Sequence, residues 1–232
     1  MLSANHNPII SPRLAKNIKR NVRERIIEFI LMLAALSAVL TTFAIVAILI
    51  FESLSFFKNV SIIDFLTDTQ WTPLFEDAHF GIMPLIAGTL TTSAIALCVA
   101  IPVGTIGAIY LSEFASHKVR EIVKPILELL VGVPTVVFGY FALLFVTPLL
   151  QKIFPELPGF NMLGPGIVIG IMIIPYISSV AEDAMRAVPM SMREGSYAMG
   201  ATRFQTAVKV VTPAAISGII AAYILAISRA VG

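Results

Sequence analysis

Charge is scarce in this chain: 13% of its 232 residues are Asp, Glu, Lys or Arg, against about 25% in an ordinary soluble domain. With 57% apolar residues and a mean hydropathy of +0.90, that scarcity excludes a water-soluble globule. Cys98 stands alone, which excludes an intrachain disulfide, and His6, His79 and His117 are too scattered to hold a metal. Apolar and polar residues do not alternate as they do in a transmembrane strand, so a barrel is excluded. No G-x-x-x-x-G-K-[ST] loop occurs, so ATP binding of that kind is excluded for these residues. His, Asp and Cys do not cluster within the apolar runs, which argues against a membrane enzyme.

Five apolar runs are present, at 26–50, 83–111, 125–150, 163–181 and 213–228. Each is long enough to cross a hydrocarbon core about 30 Å thick as a helix of about 20 residues. An all-α transmembrane protein follows, because only helices satisfy their own backbone in lipid when strands are missing. The first run is too long for the apolar core of a secretory signal and lacks a small-x-small cleavage site, so it reads as a retained helix.

Thirteen of the sixteen Lys and Arg lie in 1–25, 112–124 and 182–212. The positive-inside rule makes their side the cytoplasm. The connector 51–82 carries Glu52, Asp64, Asp68, Glu76 and Asp77 and faces outward. The chain therefore divides into a cytoplasmic basic segment (1–25), which contacts lipid headgroups rather than nucleic acid, a first transmembrane helix (26–50), a periplasmic connector (51–82) and an apolar core (83–232). The core contains a cytoplasmic loop at 182–212. Trp71, Phe75 and Phe80 read as an outer aromatic belt, with contact to a periplasmic partner as the alternative. Glu128 and Glu182 fall near helix ends and read as interfacial. The last run ends at ILAISRAVG after an odd number of crossings, which leads to the expectation of a sixth helix beyond Gly232.

Gly88, Thr92, Ala96, Ala100, Gly104 and Ala108 recur every four residues, as do Ala214, Gly218, Ala222, Ala226 and Ala230. Small residues at that spacing line one helix face and admit close backbone approach. Pro102, Pro134, Pro148 and Pro175 fall within apolar runs, where proline removes a donor and kinks the helix. Kinked helices around small-residue faces suit an internal pathway.

The loop before the last run reads EGSYAMGATRFQTAVKVVTP, residues 194–213. Ser191 and Glu194 have capping-box spacing and predict a helix beginning just after Ser191; Thr202 and Gln205 predict a second. Gly200 between them can take the left-handed conformation that ends a helix. Met192, Gly195, Ser196 and Met199 share one face, small and adaptable, of the kind that docks into a groove on another protein.

Glu194, Gly200, Val210 and Pro213 fit the spacing of the "EAA" loop of permeases of ATP-binding-cassette importers. Gly195 and Ser196 stand where that pattern has alanines, and Thr212 where it has leucine. The stretches AIPVGTIGAIYLSEFAS (100–116), VGVPTVVFGYFALLFVTPLL (131–150), IPYISSVAEDAMRAVP (174–189) and ISRAVG (227–232) resemble permeases of phosphate-specific importers, the PstC type in particular. The resemblance implies a MetI-like helix bundle in which five of six helices are present, in a bacterial or archaeal cytoplasmic membrane with the N-terminus inside. It implies ATPase coupling through Ser191, Met192, Glu194, Gly195, Ser196, Met199, Gly200 and Pro213. The implied partners are a second permease, an ATPase dimer that binds the ATP, and a periplasmic or lipid-anchored phosphate-binding protein. The chain itself would hold no cofactor.

Arg229 follows directly on the last run, in or near the outer third of the bilayer, where a charge is costly and points to a function. Its planar fork of donors matches phosphate oxygens, which makes it a pathway candidate, with Thr89, Thr92 and Ser93 as hydroxyls along the same route. The alternatives are snorkelling of Arg229 to the interface and hydroxyls bonded within their own helix. For the chain as a whole, the alternatives are a permease for another oxyanion or small solute, and a channel or secondary transporter.

Overall fold

A computed structural model describes the backbone of residues 12–232 and the side chains of residues 23–232. Part of the basic segment 1–25, with His6, therefore lies outside the described residues. Two compact units meet between Thr67 and Asp68.

The first unit contains α1, Pro12–Phe56, and α2, Ile62–Thr67. The transmembrane helix expected at 26–50 thus extends to Phe56. Phe56, Phe57 and Phe65 meet edge to face at the turn into α2, with centroids 5.2 to 5.9 Å apart.

The second unit opens with a loop in which Trp71 and Phe80 pair across a single antiparallel bridge, their rings edge to face at 6.3 Å. Its helices are α3 (Met83–Ile109), α4 (His117–Val131), α5 (Thr135–Phe141), α6 (Thr147–Ile153), α7 (Leu163–Arg186), α8 (Met190–Ala198), α9 (Arg203–Thr206), α10 (Thr212–Ala214) and α11 (Ile216–Val231). Short π-helical turns at Tyr110–Phe114, Ala142–Val146 and Ala207–Val211 extend α3, join α5 to α6 and join α9 to α10. Four helical stretches among the described residues are long and apolar enough to cross a membrane, and a fifth if the pair 203–214 and 216–231, bent by 74°, counts as one.

The run at 125–150 is not one helix. It breaks at Gly132, Val133 and Pro134, and the membrane-length stretch is Thr135–Ile153. Residues 117–131 form the separate α4, whose Arg120 and Lys124 meet α7 while Ile122, Ile126 and Leu129 are exposed. Pro134 causes the break by lacking a donor and holding its own backbone extended. Pro102 and Pro175, by contrast, lie inside continuous helices.

Val-Thr-Pro occurs twice, at 146–148 and 211–213, each time at the end of a π turn. The wider turn makes room where the proline cannot donate. At the second, Thr212 Oγ1 also donates to the Ala207 carbonyl at 2.8 Å.

The core is the packing of α3 on α7, with α11 against both. Ala96, Ala100, Gly104 and Ala108 are buried, as the four-residue spacing predicts. Gly166 and Gly170 of α7 supply the complementary clearance: a Cβ on Gly170 would lie 2.8 Å from the Ala96 carbonyl oxygen, and one on Gly166 would lie 2.8 Å from Ile95. Successive contacts run Gly166 to Ile95, Gly170 to Ala96 and Ser178 to Gly104, so α3 and α7 are parallel. Helix α11 runs antiparallel to them, from Gly218 beside Ala184 to Ala230, whose carbonyl accepts from Ser93 Oγ at 2.8 Å.

Candidate functional site

Two sites stand at different depths of this bundle. The first is the corner formed by α8 and α9, beside the ends of α3 and α7. Helix α8 begins at Met190 behind an extended Pro189 that makes no side-chain cap. The Ser191–Glu194 capping box does not form: Ser191 already sits in the second helical position, past the place from which a hydroxyl can accept from the first amides. Both residues are exposed.

Gly200 has φ of +82°, as the sequence predicts. Its amide donates to the Tyr197 carbonyl at 2.9 Å and that of Ala201 to the Ser196 carbonyl at 3.2 Å, the two bonds of a Schellman turn. The Thr202–Gln205 capping box is complete, with bonds of 3.3 and 2.9 Å. Ser196 and Thr206 join hydroxyls at 2.9 Å across the corner, so Ser196 faces inward. Met192, Gly195 and Met199 remain exposed, Met199 to 89%. Pro213 is exposed beyond α9.

Arg193, which the sequence did not single out, fastens this corner to the bundle. It is 8% exposed. Its Nη2 and Nε donate to Glu113 Oε1 and Oε2 at 2.9 and 3.3 Å. Its Nη1 and Nη2 also donate to the carbonyls of Val188 and Met185 at 2.6 and 2.8 Å. One guanidinium thus ties α8 to the π turn that extends α3 and to the C-terminal end of α7, where a cation complements the helix dipole.

A second ionic group lies alongside. Glu182 is 1% exposed rather than interfacial. Lys124 Nζ donates to it at 3.0 Å, and Arg120 and Arg186 approach within 3.4 and 3.6 Å. Lys124 also pairs with Asp183. Burial opposes the charge on Lys124, but its bonds to Asp183 and Glu182 outweigh that and hold the ammonium above the usual lysine range. Arg120 donates to the Leu111 and Ser112 carbonyls as well. No spacing in the sequence reveals these pairs, because their members are 58 or more residues apart in all but the Glu182–Arg186 case.

The second site surrounds Arg229. Its guanidinium lies over the Tyr176 ring, 4.2 Å from the centroid. Its buried Nε has no hydrogen-bond partner, and no carboxylate of the described residues pairs with it. It lines a cavity of about 400 Å³ with Phe138, Val168 and Met172. Tyr176 is thirteen residues into α7, or about 20 Å along it. The head therefore lies at mid-length of α7 rather than at its end, away from a snorkelling position. Of the candidate hydroxyls, Ser93 is buried and bonded to the turn after Arg229, Thr92 is half-buried, and Thr89 is exposed. Ser93 is thus tied to the backbone next to Arg229, but none of the three hydroxyls lines the Arg229 cavity.

On the acidic connector, His79 Nδ1 meets Asp68 Oδ2 at 2.7 Å and its Nε2 lies 3.5 Å from Asp77. The bond to Asp68 raises the His79 pKa, and the same bond lowers that of Asp68.

The family model described as "Binding-protein-dependent transport system inner membrane component" matches residues 100–232. Over its whole length the chain is 36% identical to 76% of YqgH of Bacillus subtilis, named a probable ABC transporter permease protein. It is 34% identical, over 72% of its length, to 57% of the phosphate transport system permease protein PstC of Mesorhizobium japonicum. It is 31% identical, over 85% of its length, to 69% of the PstC of Haemophilus influenzae. The MetNI methionine ABC transporter, solved in inward-facing conformations, aligns with a TM-score of 0.50 over 66% of this chain and 68% of that one, at 23% identity.

Proposed function

Because the chain belongs to the family of binding-protein-dependent transport inner-membrane components, as a non-catalytic ABC importer permease subunit of the MetI type, we propose that its solute is inorganic phosphate and its motor a separate ATPase that grips α8. The relatives named PstC support the solute, and so does an arginine held at mid-depth with an unspent donor. Phosphate offers that fork a matching set of oxygens.

The basic segments 112–124 and 182–212, which meet around Glu182 and Arg193, face the cytoplasm in this reading. A binding protein delivers phosphate from the opposite side, and a second permease completes the path. The ATPase dimer binds the ATP, and the chain itself holds no cofactor.

The observation that carries the coupling is the four-bonded Arg193. When ATP binding closes the ATPase pair, displacement of α8 reaches α3 through Glu113 and α7 through the Met185 and Val188 carbonyls. Those two helices are packed too closely to slide independently, so they move together and alternate the access of the Arg229 cavity.

A permease for another oxyanion or small solute is the second reading, because the printed name of the Bacillus subtilis relative gives no solute. Uptake by proteoliposomes holding both permeases and the ATPase, with the binding protein supplied outside, separates the two. Phosphate uptake that Arg229→Ala abolishes, with the complex still assembled, is expected. Uptake of sulfate but not phosphate overturns the solute.

A further inference from the structure

Between α8 and the ends of α3 and α7 lies an open-sided pocket of about 510 Å³, walled by Arg120, Arg186, Arg193 and Arg203, with Tyr197 and Glu113. Four guanidinium groups around one hollow are an unusual concentration in a chain with so little charge. Their partners do not neutralise them. Glu113 is occupied by Arg193, and Glu182 and Asp183 are shared among Arg120, Lys124 and Arg186. Five cations thus face three carboxylates, which leaves two positive charges uncompensated. Arg203 makes no ion pair or side-chain bond with a described residue, and Arg186 is 49% exposed with only a 3.6 Å contact to Glu182.

We propose that this pocket binds a phosphate group, free or on a lipid headgroup, with Arg186 and Arg203 as its principal donors. Two uncompensated charges match a phosphate dianion, and planar guanidinium forks match its oxygens better than ammonium groups would. Arg193 lines the same pocket, so an occupant there bears on the joint between α8 and the bundle. The inference stands whichever solute the permease carries, since it concerns groups far along α7 from the Arg229 cavity.

Calorimetric titration of inorganic phosphate into the chain carrying Arg229→Ala, in phosphatidylcholine nanodiscs, isolates this pocket from the other. Binding is expected, weakened at least tenfold by Arg186→Gln with Arg203→Gln. Both side chains are at the surface, and circular dichroism checks that the fold is kept. In the chain without these substitutions, phosphate is expected to protect Arg203 and Arg186 from phenylglyoxal, read by mass spectrometry. If free phosphate fails but phosphatidic acid is retained in native mass spectra and lost in the double variant, the headgroup is the source. Overturning results are phosphate affinity unchanged by the double variant, or no dependence of either ligand on the two arginines.

Discussion

Arg193 and Glu113, 80 residues apart in sequence, meet as a two-pronged ion pair with bonds of 2.9 and 3.3 Å, between a nine-residue surface helix and the end of a core helix. Removing one member of a buried pair strands the other and costs about 3–5 kcal/mol. Arg193→Ala is therefore expected to lower the unfolding midpoint sharply. Arg193→Lys keeps the charge but loses the fork; it is expected to leave the complex assembled and to reduce uptake per ATP hydrolysed about tenfold. Unchanged stoichiometry in the lysine variant contradicts the relay.

Gly200 holds φ of +82° with open space around its missing Cβ, so any cost of substitution lies in the backbone alone. A left-handed residue with a side chain costs about 1–2 kcal/mol. Gly200→Val is expected to break the α8–α9 corner and release the ATPase in pull-down assays, while Gly200→Asn, which tolerates that conformation, retains it. Equal release by both variants would assign the effect to something other than the turn.

Gly170 admits the backbone of α3, and its added Cβ would meet both the Ala96 carbonyl oxygen and Val99. Overpacking of this kind costs about 1–3 kcal/mol. Gly170→Ala is expected to lower the denaturation midpoint, whereas Gly139→Ala, with no atom within 4 Å of its new Cβ, is not. Equal midpoints for the two contradict the close packing.

The loop at 68–81 titrates through His79 and Asp68. A raised histidine pKa contributes stability below its ordinary 6.5 that is lost as pH rises through the folded value; a lowered aspartate pKa contributes above its ordinary 3.8 and is lost as pH falls through the folded value. The loop is therefore most ordered between those two pH values. NMR titration is expected to give His79 a midpoint above the ordinary histidine value, returning towards it in Asp68→Asn. A midpoint indifferent to that change contradicts the pairing.

Much of this was legible where local rules decide. The small-residue face of α3, the turn at Gly200 and the Thr202–Gln205 cap follow from residue type and spacing. The face expected at 213–228 holds only in α11, where Ala222 and Ala226 are buried, because the chain bends by 74° before Ile216 and leaves Ala214 exposed in α10. Ser191 and Glu194 have the same capping pattern, yet Pro189 starts the helix ahead of them and leaves Ser191 nothing to cap. The run at 125–150 concealed a break because apolar composition continues through Gly132 and Pro134. Glu182 read as interfacial because its partners Arg120 and Lys124 come from another helix, and burial of a charge depends on such partners. The same distance in sequence hid Arg193, which looked like one more basic residue of a loop.

Grip on α8 from the basic side is tested most directly at Met199, the most exposed large apolar side chain of the corner. With Cys98→Ser removing the lone native thiol, Met199→Cys is expected to cross-link to the ATPase and to react with a membrane-impermeant maleimide only in inside-out vesicles. A cysteine there that is labelled from the outside of intact cells and never cross-links to the ATPase contradicts the account.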